Sequence, residues 1–85
     1  MFEATIPVGD PTVLVSLFGA RDQNLRTIRD SIPVDISTRD GSILVEGNET
    51  EVAQATEVLE RLKLMLSRNG SLAPDQVAQI ISTVT

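Results

Sequence analysis

The sequence predicts an α+β fold: a three-stranded antiparallel sheet with helices packed on one face, followed by a C-terminal helix. Three observations carry this expectation. Two alternating segments are separated by Asp40-Gly41, a two-residue hairpin signal. A long stretch from Val52 to Leu66 carries apolar residues at helical spacing. Between the first extended segment and the hairpin lie two short helical patterns parted by Gly19, so the element order reads β-α-α-β-β-α.

Each element has its own local reason. In residues 2–8, Phe2, Ala4, Ile6 and Val8 alternate with Glu3, Thr5 and Pro7, the period of a half-buried strand. Pro7 cannot donate to a ladder, so it belongs at the strand's end or with its nitrogen turned away from a neighbour. Asp10-Pro11 starts a helix, with an N-cap acceptor before proline at the first helical position. That helix carries Val13, Leu14, Leu17 and Phe18 and stops at Gly19. Asp22 is placed to cap a second helix from Gln23 to about Ser31, with Leu25 and Ile28 inward and Arg26 and Arg29 outward. Pro33 blocks its continuation, and Val34 and Ile36 alternate with Asp35 and Ser37 in a strand at 34–38. Residues 42–47 pair back across the hairpin. Asn48 with Glu51 three positions on resembles a capping box and opens the longest helix, about 49–68, with Val52, Ala55, Leu59, Leu62 and Leu66 as its buried stripe and Val58 and Met65 beside it. Asn69-Gly70 ends it. After the short linker 68–73, Pro74 opens a last helix with Val77, Ile80, Ile81 and Val84 on one face.

Composition bounds the function. At 85 residues the chain makes one folding unit, whose core must come from aliphatic residues because Phe2 and Phe18 are its only aromatics. It contains no cysteine, which excludes disulfides and thiolate chemistry, and no histidine, the commonest general base and metal ligand. No run approaches the roughly 18 apolar residues of a membrane span, and the start MFEATIPVGD lacks the pattern of a signal peptide. These features predict a soluble, cytoplasmic domain that needs no membrane. The five glycines, at 9, 19, 41, 47 and 70, fit neither a P-loop nor a dinucleotide fingerprint. Glu57 and Glu60 lie one turn apart, but beside Arg61 and Lys63 they read as a solvated helix face and not as an acid/base pair. The expectation is a chain with no catalytic centre, no metal and no cofactor of its own.

Charge is unevenly spread. The net charge is −5, which opposes long-range attraction to nucleic acid. Yet four of the seven basic residues, Arg21, Arg26, Arg29 and Arg39, fall within 19–39. That cluster reads either as a mixed-charge solvated face or as the border of a binding path. The aliphatic stripe Val77, Ile80, Ile81 and Val84 either folds back on the domain or is a candidate partner surface.

The run FGARDQNLRTI has the form F-G-x-x-D-x-x-L-x-x-I. It resembles the KH-domain signature I-G-x-x-G-x-x-I-x-x-I, and the element order over residues 2–68 is similar to a type I KH fold. KH domains clamp about four nucleotides of single-stranded backbone at their GXXG loop. More narrowly, the run from Ile6 to Leu62, with LAPDQV at 72–77, resembles the N-terminal KH-like region of bacterial PhoH-like P-loop ATPases. That resemblance implies a KH-like domain at 1–68 and, at 69–85, a short linker and helix leading toward an ATPase domain absent from this chain. Any ATP and Mg would belong to that absent domain. It also implies a role in RNA metabolism, with weak single-stranded RNA, the ATPase domain and an rRNA-maturation endoribonuclease as partners. Gly19, Ala20, Arg21, Gln23, Asn24, Arg29 and Arg39 would then border the nucleic acid, over a floor including Leu17 and Ile36. The alternative is a degenerate KH fold serving as a protein-protein interaction or oligomerisation module, through the 77–84 stripe or the acidic long helix. Two positions depart from the family pattern. Asp22 replaces the last glycine of the loop, and its carboxylate would occupy the helix N-terminus that otherwise faces phosphate. Ala73 precedes Pro74 where an N-cap hydroxyl is usual.

Overall fold

A computed structural model describes residues 1–85 in full. The elements are β1 (Phe2–Pro7), α1 (Pro11–Phe18), α2 (Gln23–Ser31), β2 (Asp35–Arg39), β3 (Ser42–Gly47), α3 (Glu49–Asn69) and α4 (Pro74–Val84), with a single 3₁₀ turn, Ala20–Asp22, between α1 and α2. The strands form one antiparallel sheet in the order β1-β3-β2, so β1 and β2 are its two edges. Register places Ile6 opposite Ile43, and both Ala4 and Ile36 opposite Val45. These residues share one face, and the helices cover it. The other face carries Glu3, Thr5, Ser37, Arg39 and Ser42 and stays open to solvent.

The hairpin forms where a type I′ turn is cheapest: Asp40 and Gly41 both have positive φ, 52° and 78°. Asp10 caps α1 as its sequence implies, with Oδ1 accepting from Thr12 N–H at 2.9 Å. Asn48 Oδ1 accepts from Glu51 N–H at 3.1 Å and starts α3, which ends at Gly70 in the left-handed region. α4 begins without a capping hydroxyl. Gln76 Oε1 reaches back instead to accept from Ala73 N–H at 2.9 Å, so one orphan donor is satisfied from inside the helix.

Eighteen apolar residues form one core, drawn from the sheet's covered face, all four helices and the Ile32–Val34 connection. Val77, Ile80 and Ile81 belong to it. α4 lies against α2 and α3, with Val77 fully buried. The stripe at 77–84 is therefore internal and offers no partner surface; only Val84 is partly exposed. It is buried because α2 and α3 leave an apolar seam that α4 closes. No helix is long and apolar enough to cross a membrane.

Candidate nucleic-acid interface

The backbone between α1 and α2 is unusual. Gly19 has φ 77° and ψ 178°, and the next two residues but one, Arg21 and Asp22, are both left-handed at φ 54° and 58°. L-residues enter this region at a cost of about 1–2 kcal/mol each. The segment therefore bends sharply outward, leaving Ala20, Arg21 and Asp22 exposed. Asp22 makes no capping hydrogen bond to α2. Its left-handed backbone is not the extended conformation of an N-cap, so the expected cap is absent. The first turn is held by backbone alone: Asp22 N–H donates to Gly19 O at 3.2 Å and Gln23 N–H donates to Ala20 O.

Beside this loop lies an open groove of about 500 Å³, walled by Leu14, Val15 and Phe18 of α1, by Gly19 to Asp22, and by Thr38 of β2. Val15 is 71% exposed and supplies apolar surface to it. Of the seven residues expected to border nucleic acid, Gly19, Ala20 and Arg21 line the groove, and Gln23 is exposed at the start of α2.

The other three lie elsewhere. Asn24 is buried, only 5% exposed, and its Nδ2 donates to Leu17 O at 3.0 Å. It satisfies one of the carbonyls left free in the last turn of α1, and it holds the two helices together instead of facing a ligand. Arg29 stays on the α2 surface, but its Nη2 donates to Ile36 O at 2.7 Å and so fastens α2 to the edge of β2. Arg39 falls on the open sheet face, in a shallow hollow with Glu3, Thr5 and Asp40. Alternation explains this: with Ile36 inward, Thr38 is inward as well and Arg39 outward. The floor also differs. Leu17 and Ile36 are sealed in the core, and the exposed apolar surface comes from Leu14, Val15 and Phe18. The run Val13-Leu14-Val15 was the signal for it, since three successive apolar residues cannot all face one core.

Among the acids of α3, Glu57 pairs with Arg61 at 3.2 Å, both about half exposed, which fits a solvated face.

The chain is thus a small α+β domain with an open groove between α1 and the β2 edge strand, beside a left-handed loop. No family model matches it. It is similar to the PhoH-like proteins of Mycobacterium bovis and Mycobacterium tuberculosis, each 28% identical over 72 residues, covering 85% of this chain and 20% of theirs. The PhoH-like protein of Mycobacterium leprae is 27% identical over 67 residues, covering 79% and 19%. The chain spans about a fifth of the length of these curated relatives.

Proposed function

We propose that this chain is a KH-like accessory domain of a PhoH-like protein, binding single-stranded RNA weakly for an ATPase domain that lies outside it. The observation that carries this reading is the juxtaposition of the exposed Gly19–Asp22 loop with the groove between α1 and Thr38. A strand laid along the groove would set one phosphate near the Arg21 guanidinium and its bases over Leu14, Val15 and Phe18. Gln23 adds a hydrogen-bonding amide at the end of the path. With no tyrosine or tryptophan in the chain, base stacking of about 1–3 kcal/mol per base is confined, in this groove, to Phe18. The binding is therefore weak, sequence-tolerant and useful when tethered to a stronger domain.

The test is a titration of isotope-labelled chain with a short oligouridine at low salt. Amide shifts are expected at residues 14–23 and 38. Arg21→Ala should lower the affinity and Asp22→Gly should raise it several-fold by removing the carboxylate beside the phosphate. The salt slope should be about −0.7, the contribution of a single phosphate contact on a single strand. Shifts absent from 19–23, or spread evenly over the surface, would refute the groove reading.

A second reading, a KH-like fold kept for protein contacts, is favoured by one observation. With Asn24 and Arg39 withdrawn, the loop offers one cation, Arg21, directly followed by Asp22. Light scattering across a dilution series tests its self-association form; an unchanging monomer mass removes that form.

A further inference from the structure

The sheet's opposite edge carries a second surface. β1 has β3 on one side and no strand on the other. Two contacts show which of its backbone groups face outward. Val8 N–H donates to Gly41 O at 3.2 Å, toward the hairpin, whereas Pro7 O accepts from Lys63 Nζ of α3 at 2.7 Å. Backbone groups in an antiparallel ladder alternate direction along the strand, so Glu3 and Thr5 share the outward aim of Pro7. Their N–H and C=O groups form an unpaired edge.

Beside this edge, on the helix-covered side, is an open groove of about 440 Å³. Phe2 and Ala4 of β1 and Ala53 of α3 give it an apolar floor, and Glu49, Glu57 and Glu60 stand along α3 as its rim. Phe2 is 48% exposed, although it is one of two aromatic residues in the chain. Glu57 is engaged by Arg61; Glu49 and Glu60 have no cationic partner. The lysine that closes the edge, Lys63, sits at the Pro7 end, away from this acidic half.

We propose that β1 binds an extended protein segment rich in arginine or lysine, added to the sheet as a fourth strand. The edge at Glu3 and Thr5 supplies backbone hydrogen bonds. Long basic side chains facing the groove lay their aliphatic stems over Phe2, Ala4 and Ala53 and place their charges at Glu49 and Glu60. Charge selects this occupant over two others. A second copy would bring two acidic rims together in a chain of net charge −5, and a nucleic acid would meet the same rim with its own negative charge.

The probe is a seven-residue peptide of alternating valine and arginine, blocked at both ends, titrated into the labelled chain at low salt. Two controls accompany it: the same peptide with glutamate for arginine, and versions N-methylated at alternate residues in either phase. Shifts confined to residues 2–6 and to 49–60 are expected, with no binding of the glutamate peptide and loss of binding in the N-methylated version that blocks the edge. Glu49→Gln/Glu60→Gln should weaken the arginine peptide about 3- to 10-fold, as loss of two exposed charge pairs predicts. Because Glu49 also lies in the first turn of α3, Glu60→Lys alone must weaken binding in the same direction. The proposal is overturned if both N-methylated versions bind like the parent, if the charge variants leave affinity unchanged, or if the shifts fall on the open sheet face. Since RNA is expected at the β2 edge, failure here is distinct from failure of the RNA reading.

Discussion

A Cβ added to Gly19 would lie 3.0 Å from Asn24 Nδ2 and 3.2 Å from its Cγ, at a backbone φ of 77°. Gly19 and Asn24 are therefore coupled, the one leaving room for the amide that the other uses to hold Leu17 O. Asn24→Ala leaves that buried carbonyl unsatisfied and should cost about 1–3 kcal/mol. Gly19→Ala should be destabilising as well, but by roughly 1 kcal/mol less in the Asn24→Ala background, where only the φ penalty remains; a double-mutant cycle in urea measures the difference. Thr56 predicts the opposite sign. Its Oγ1 is buried with no hydrogen-bond partner, so Thr56→Val should raise stability by about 1 kcal/mol and Tm by roughly 4–8 °C. Asp22→Gly separates folding from binding. Relief of a left-handed backbone offsets the extra freedom of glycine in the unfolded chain, so stability should stay within about 0.5 kcal/mol while RNA affinity rises.

Helix α4 illustrates how an element becomes part of a core. Pro74 sets its first turn, Gln76 replaces the missing cap, and Val77, Ile80 and Ile81 fill the seam between α2 and α3. Ile81→Ala should cost about 2–4 kcal/mol, a large share of the roughly 4–13 kcal/mol expected for a chain this size. Thermal melts followed by circular dichroism should show cooperative unfolding at a much lower temperature; an unchanged midpoint would mean that α4 is not docked in solution. The elements themselves were legible because their signals are local: Asp10-Pro11, Asp40-Gly41 and Asn48 with Glu51 each act within four residues. The lining of the candidate groove was legible only in its loop. Asn24 and Arg29 make their deciding contacts seven residues away, and Lys63 reaches across 56 positions to Pro7. Such contacts depend on how finished elements pack, which no local pattern encodes. Arg39 is a different case, since strand alternation already placed Thr38, not Arg39, on the groove side.

For the whole molecule, β3 separates two edges of different character: the β2 edge with the loop groove and Arg21, and the β1 edge with its acidic rim. A Cα radius of gyration of 11.6 Å, against roughly 12 Å expected for a compact chain of this length, leaves no detached element to link the two. The two edges should therefore act independently. Arg21→Ala should leave the peptide affinity within about twofold, and Glu49→Gln/Glu60→Gln should leave RNA-induced shifts at 19–23 in place; cross-effects larger than this in either titration would show coupling. Each edge also carries one helix-borne cation bound to a strand carbonyl, Arg29 on Ile36 and Lys63 on Pro7, both at 2.7 Å. Unguarded edges are templates for stacking strand upon strand. These two side chains occupy one acceptor on each side and leave charge there, the arrangement expected of gatekeepers against self-templated growth. An Arg29→Gln/Lys63→Gln chain, still folded, should form thioflavin-positive fibrils on gentle warming well before the parent does. A parent chain that forms fibrils as readily as the double variant would mean that the cations which the helices send to the rims of the sheet do not restrain such growth.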